Sequence, residues 1–515
     1  MSRSYFIALA FVVLGTTVSQ AKGNKPEWVE NNGLSTEYSS TLYITGFGIG
    51  EGKKESDRLT QAKQHALAAL SEIFLTQIQS NLLVSEIETE SSYQSLVKST
   101  ISSQSNIHLI DVQTLMWNNR MKQQTFVLAL LEIEPAIGNY TRHMVTLLEN
   151  IEHLVATAKE AEEAGDLELS IKMYRGTFPL FIELGEARTV LNLLQGKSPF
   201  GEFEETLSKV TINQGEIESR ISRLLKREIK SISSAAYILA EQLTDQLESK
   251  SISLRVYPLT YENTGFSSQF ASYFHSVLES ELISFFTILS EKSTQIDMDA
   301  VLTGTYWLND NQCRLQVIIT DLKNGSKLAA GGVNIPKSVT SDARLELLPR
   351  NFEKAMEDGR IFLVKDVIPG KLSLEAWTSK GNRNLIFKED EEITLSIRVN
   401  KPCYLQIIYH LADGARILLE NDLYVDVSKV NHVYTLPDTF YIAPPFGVER
   451  LQIFARTEKF DFVKVSTVSF EGEFYENVLV EDIREHTVAL RGLKKKKTGP
   501  QIAEKTLTIT TIKKR

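Results

Sequence analysis

The hydrophobic positions of this chain change period several times, and each change marks a structural boundary. Ile252, Leu254 and Val256 alternate with polar residues, the period of a half-buried strand. Pro258 and the polar run Glu262 to Gly265 close it. Phe270, Phe274, Val277, Leu278 and Leu282 then recur at helical spacing, with Ser267 or Ser268 available as N-cap. Ala300 to Leu308 and Cys313 to Leu322 are β-rich runs split by Asn309, Asp310 and Asn311, and Asn324-Gly325 marks a second tight turn. Residues 250–338 are thus predicted as a small α/β unit with no obvious catalytic side chain.

Upstream, Leu42 to Gly48 reads as a strand, and Leu59, Ala62, Ala66, Ala69, Leu70, Ile73 and Phe74 follow at helical spacing. Ile107 to Trp117 and Thr125 to Ile133 are alternating β-runs around the turn Asn118-Asn119-Arg120, completing an α/β unit over 25–136. Gly46, Gly48, Gly50 and Gly52 sit between strand and helix, the context of a dinucleotide loop. Glu51, however, occupies the place of the third fingerprint glycine, and Glu51 and Glu55 would repel a pyrophosphate. The glycines are expected to form a flexible turn. Residues 140–247 are helical in pattern, with Met144, Leu147, Leu148, Ile151 and Leu154 keeping the helical period. Pro179 and Gly185 are expected to interrupt one of these helices, and the charges of Glu216 to Leu247 to lie on a solvated face.

Downstream, 339–369 is polar and reads as a linker with one short helical pattern around Phe352, Ala355 and Met356. Over 370–475, short strands (Leu374 to Trp377, Ile393 to Val399, Cys403 to Tyr409, Leu451 to Ala455) alternate with turns at Gly381-Asn382, Asn400-Lys401-Pro402 and Asp413-Gly414. That rhythm predicts a β-sandwich. Residues 476–515 are basic, with Lys494 to Lys497 and Lys513-Lys514-Arg515, and read as a solvated tail containing a short β-prone run, Leu507 to Ile512.

Composition narrows the function classes. A net charge of -9 argues against nucleic-acid binding by the body of the chain. The two cysteines, Cys313 and Cys403, lie in separate apolar strands and are expected as buried free thiols. Arg3, the apolar run Tyr5 to Leu14 and the small residues Ser19-Gln20-Ala21 predict a signal peptide over 1–21, with an uncleaved anchor as the alternative. The eight histidines show no zinc-ligand spacing, and no G-x-S-x-G, P-loop or S-x-x-K motif occurs. The acidic run Glu389 to Glu392 lacks the glycine and alternating ligands of a calcium loop and reads as a solvated turn. No catalytic, cofactor-binding or metal residue is assigned, and no cofactor is expected. Triads assembled from distant residues remain open at this stage.

Four resemblances refine the picture. The Arg255-Val-Tyr-Pro-Leu259 strand, the helix after it, Leu302-Thr-Gly-Thr-Tyr306 and Asn324-Gly325 resemble the envelope-assembly family of CsgG and LpoB. Pro26-Glu-Trp28, Tyr43-Ile-Thr-Gly-Phe-Gly48, the alanine-rich helix and the two strands resemble the LPP-twenty lipoprotein family, here without a cysteine to carry lipid. Ala158 to Tyr174, turning at Gly165-Asp166, resembles a single tetratricopeptide hairpin. Val399-Asn400, Tyr404-Leu405, Asp413-Gly414 and Pro445 to Ala455 resemble the domain of unknown function numbered forty-three eighty-four. Together they imply an α+β multidomain protein: two small α/β units, a helical segment and a C-terminal β-sandwich. They also imply an exported, periplasmic and non-enzymatic protein that binds envelope partners in assembly, secretion or cell-wall regulation, with peptidoglycan or the outer membrane as further contacts. A ligand-binding regulator or hydrolase with a site between modules, and a subunit of an oligomeric secretion complex, are the alternatives.

Overall fold

A computed structural model describes residues 18–20, 25–84, 107–119, 121–197, 214–225, 229–247, 252–262, 264–289, 298–309, 311–363, 372–460, 464–470, 473–479 and 501–514. The expected signal peptide and the lysine run 494–497 fall outside these residues, apart from 18–20. The chain divides into two compact units, Met1–Leu70 with Leu109–Arg142, and Ser71–His108 with His143–Arg515. Among the described residues, no helix is long and apolar enough to cross a membrane.

The first unit holds a four-stranded sheet in the order β1 (Val18–Gln20), β3 (Gln113–Asn119), β4 (Gln124–Glu132), β2 (Tyr43–Glu51). β4 is buried along nearly its whole length because both of its faces are covered. One face packs on Trp28 and Val29 of the short helix α1 (Glu27–Glu30), with Phe47, Phe126 and Leu128. The other lies against α2 (Glu55–Val84). Gly46, Gly48 and Gly50 form no turn: they line one face of β2. A Cβ at any of the three would strike α2 backbone, at Ala66, Ala62 and Arg58 respectively. Alternate residues of a strand share a face, so this G-x-G-x-G pattern is a flat track on which the helix rests.

α3 (Ile133–Glu163), which belongs to the second unit from His143 onward, and α4 (Leu167–Leu194) are joined at Gly165, whose φ is +79°, and Asp166 caps α4 by accepting from Leu169 N at 3.1 Å. α4 runs unbroken through Pro179 and Gly185, contrary to the sequence expectation. Proline removes one backbone hydrogen bond, but Tyr174, Phe178, Phe181 and Ile182 bury this stretch, and tertiary packing outweighs that loss. α5 (Gln214–Leu225) packs with this hairpin. α6 (Ile232–Thr244) carries a Ser231–Ser234 capping box. Its Ala235, Ala236, Leu239 and Leu243 join the core of the α/β module, so the expected solvated face does not extend along it.

That module is a six-stranded sheet ordered β10 (Lys327–Pro336), β9 (Gln312–Asp321), β8 (Ala300–Leu308), β5 (Ser253–Val256), β7 (Thr287–Ile288), with β6 (Thr260–Tyr261) also on β8. Phe270, Phe274, Leu278 and Leu282 of α7 (Gln269–Leu282) are buried as their spacing requires, and Ser268 is the cap. α6 and α7 cover one face of the sheet, while Ile318 and Ala330 on the other meet the α3–α4 hairpin. The edge strand β10 is closed by two glutamine side chains. Gln242 bonds Gly332 N at 2.9 Å and Gly332 O at 3.1 Å, and Gln246 does the same to Ala330 at 3.2 and 2.7 Å. These amides take the place of a neighbouring strand and remove the open edge.

α8 (Lys337–Asp342) and α9 (Phe352–Leu363) lead into the β-rich region. There a three-stranded sheet, β11 (Leu374–Thr378), β13 (Glu392–Val399) and β16 (Tyr434–Tyr441), shares one core with a seven-stranded sheet. The latter runs β12 (Leu385–Lys388), β20 (Ile502–Ile512), β17 (Val448–Arg456), β14 (Cys403–His410), β15 (Arg416–Val425), β19 (Glu473–Val478), β18 (Val465–Phe470). The basic end of the chain is therefore not a free tail throughout. β20 lies between β12 and β17, with Leu507 and Ile509 buried in the shared core. Lysines hid it in the sequence, because Lys505 lies on the same strand face as Leu507 and Ile509 and its ammonium reaches Glu72 at 2.8 Å. The acidic run 389–392 turns at Asp390, and Lys380 binds Glu391 at 2.8 Å. Cys313 and Cys403 are buried free thiols, and burial pushes each up to about 12.

Candidate functional site

Three segments distant in sequence converge within the second unit. His108 stands ahead of β3, His143 is on α3, and Glu183 is on α4. His108 Nδ1 lies 2.7 Å and His143 Nε2 2.9 Å from the same oxygen, Glu183 Oε1. The imidazoles meet edge to face, centroids 5.6 Å apart. The donor atoms of the three all lie within 4.8 Å of one another. Glu183 is almost buried, while the two imidazoles keep 16% and 24% of their side-chain surface, so solvent reaches the cluster from the imidazole side. Burial alone would push the Glu183 carboxyl up. The hydrogen bonds and charge of the two imidazoles overcome this and hold it well below the usual carboxylate range.

The cluster has a built support. One turn along α4, Glu186 is fully buried and its Oε1 lies 3.1 Å from Lys327 Nζ, itself buried. That contact is a charge pair with poor hydrogen-bond alignment at Oε1. Burial pushes Glu186 up, against the pull of the Lys327 ammonium. Its other oxygen receives His108 N at 3.4 Å. Lys327 also donates to Gly325 O at 2.8 Å. Gly325, at φ +79°, brings the β9–β10 turn against the His108 segment so closely that a Cβ there would lie 2.9 Å from Ile107 O and 3.0 Å from His108 Cα. The Asn324-Gly325 turn, legible in the sequence, thus seats His108. The meeting of the histidines was not legible. His108, His143 and Glu183 are 35, 40 and 75 positions apart in pairs, far outside any local ligand motif.

A second buried carboxylate belongs to the β-rich region. Glu449 accepts from Tyr409 Oη at 2.6 Å and from Ala412 N at 3.3 Å. It fastens the Asp413-Gly414 turn from beneath. Burial pushes its carboxyl up to about 7, partly offset by the Tyr409 hydrogen bond. Gly447, two residues earlier, leaves room for Asn351, whose amide bonds Val448 N, Val448 O and Ala412 O at 2.8, 2.9 and 3.1 Å. The Gly447–Glu449 pair that marks the sequence therefore fastens this turn.

The fold is that of an α+β protein of several modules with a β-rich C-terminal region. Residues 386–459 match the family described as "Domain of unknown function (DUF4384)", inside the 370–475 module outlined from sequence. No curated protein matches the chain. Among solved structures, the LpoB C-terminal domain from Escherichia coli aligns at 14% identity over 20% of this chain and 97% of that one, with a TM-score of 0.18. The corresponding domain from Salmonella enterica aligns at 15% over the same shares, TM-score 0.18. The secreted protein HP1454 from Helicobacter pylori aligns at 10% over 62% of this chain and 98% of that one, TM-score 0.17. Likenesses at these TM-scores carry no argument about function.

Proposed function

We propose that this is an exported, non-enzymatic protein of the bacterial envelope that works by binding a protein partner in assembly, secretion or cell-wall regulation. The observation that carries the reading is the division of labour within the C-terminal region. The residues that mark its matched domain, Asp413, Gly414, Gly447 and Glu449, are engaged in holding its own turns. Function then falls to its surface. On the outer face of the large sheet, Tyr404 and Tyr424 meet at a tilt of 41° with centroids 4.9 Å apart, beside a small cluster of Ile408, Phe454 and Val478. Tyr424 and Phe474 stay 50% and 78% exposed. Large apolar groups left in water on a sheet face suit a protein contact. The charged N-terminus and apolar Tyr5 to Leu14 run support export, and the resemblance of Lys25 to Pro135 to outer-membrane lipoproteins supports an envelope address.

Crosslinking in intact cells, with the chain carrying a photoreactive residue at Phe474, tests this. A reproducible adduct with an envelope protein is expected. Recovery of the full-length chain from the cytosol, or of uncrosslinked monomer alone, overturns it. The His108–His143–Glu183 cluster favours one second reading, a regulator that also takes a small ligand.

A further inference from the structure

We infer that His108, His143 and Glu183 form a binding site for one divalent transition-metal ion of the zinc class. Two imidazole nitrogens and one carboxylate oxygen converge from three separate segments, their donor atoms within 4.8 Å of one another. Two nitrogens and one oxygen suit zinc or cobalt, whereas calcium and magnesium take oxygen ligands. With metal–ligand bonds of about 2.0–2.2 Å, neighbouring ligands of a tetrahedral ion stand roughly 3.3 Å apart. The observed 2.7 and 2.9 Å separations from Glu183 Oε1 are shorter than this, so each imidazole would draw back slightly from the carboxylate to admit the ion. Both rings are partly exposed and can make that movement, and solvent supplies a fourth ligand from their side.

The surroundings favour a site over a chance meeting of side chains. The carboxylate is anchored on a helix buried on most sides, and the His108 backbone is held by Glu186 and by the close approach of Gly325. Metal ligands need such outer support to keep their orientation. The bound ion would tie the segment before β3 to both helices of the α3–α4 hairpin. Its occupancy would then stabilise this region by mass action. The inference does not depend on the partner-binding reading, since it concerns other residues and another ligand.

The test uses the mature full-length chain, purified without a histidine tag, stripped with a chelator and titrated with Zn2+ and then Co2+. One equivalent of Zn2+ per chain, and the strong visible absorption of tetrahedral Co2+, are expected. His143→Gln and Glu183→Gln should each weaken binding at least about tenfold. Gly325→Ala, which touches no ligand side chain directly, should weaken it less. His153→Gln, an exposed histidine on the same helix, should leave it unchanged. His143→Gln has a partly exposed parent side chain, so it keeps the test readable if Glu183→Gln fails to fold. Absence of stoichiometric binding by the folded wild type overturns the site, leaving a hydrogen-bonded His–Glu–His cluster. So does a loss in His153→Gln equal to that in His143→Gln, which would mark adventitious surface binding.

Discussion

Glu183 on α4 and Glu449 on β17 are both buried, and their carboxyls are shifted in opposite directions. Glu183 faces two imidazoles and is held as a carboxylate. Glu449 faces a phenol and a backbone amide, and burial lifts it to about 7. Desolvation penalises the charged form at both places, so the partner decides. Metal-capable imidazole partners make the helical carboxylate a ligand. Neutral partners make the sheet carboxylate a fastening. Burial by itself therefore does not distinguish a site from a scaffold, but the donor set around the buried group does.

The strongest way to break this comparison is to remove a charge from the helical side. Glu186→Ala leaves the buried Lys327 ammonium without its opposite charge, and chemical unfolding should show a loss of about 3 kcal/mol or more. The double variant Glu186→Leu with Lys327→Met, which removes both charges at similar volume, should recover most of that loss. If the single variant unfolds at the wild-type denaturant concentration, the pair does not hold the turn, and the support assigned to His108 fails with it.

The next effect sharpens the sheet side. The ordinary Glu value is 4.5 and Glu449 in the fold sits at about 7, so between these pH values the native state binds more protons than the unfolded chain. Stability therefore falls as pH rises through that window and levels off above it. The swing from this one group is about 3 kcal/mol at most. Tyr409 and Asp413 also face the carboxyl, and Asp413 adds to the upward shift. Glu449→Gln, neutral at every pH, should remove this swing, so the stability difference between wild type and variant changes by about that amount between pH 4.5 and 8. A difference that stays constant across the window would mean Glu449 is charged throughout.

How much of this the sequence carried depends on whether partners were local. The α7 core, the Asn324-Gly325 and Asp413-Gly414 turns and the strands of the β-rich region could be read because periodicity and turn chemistry are short-range signals. The Gly46–Gly48–Gly50 track looked like a loop because alternate glycines serve equally a turn or a strand face, and only the helix above them decides. Pro179 and Lys505 misled for a related reason: a proline costs little in a helix buried by its neighbours, and an inward strand can carry a lysine whose end reaches an acid. The histidine cluster was beyond reach, since its members sit 35 to 75 positions apart and meet only through tertiary packing. A signal did exist in the i, i+3 pair Glu183 and Glu186, two acids on one face of an otherwise buried helix, which must find cations or donors.

The smallest effect is the most discriminating. Tyr409→Phe keeps the ring and its packing and deletes one hydroxyl. Glu449 then keeps Ala412 N but loses its shortest hydrogen bond. The net cost should be about 1 kcal/mol, and its pH dependence carries the information. The phenol's hydrogen bond lowers the Glu449 carboxyl from where burial alone would put it. Without it the carboxyl should titrate higher than about 7, so the variant loses more stability at pH 8 than at pH 5, measured by unfolding at both. Equal losses at the two pH values would show that the hydroxyl serves the charged and neutral carboxyl alike. In that case the partner would not set the charge state on the sheet side, and the contrast with Glu183 would rest on the imidazoles alone.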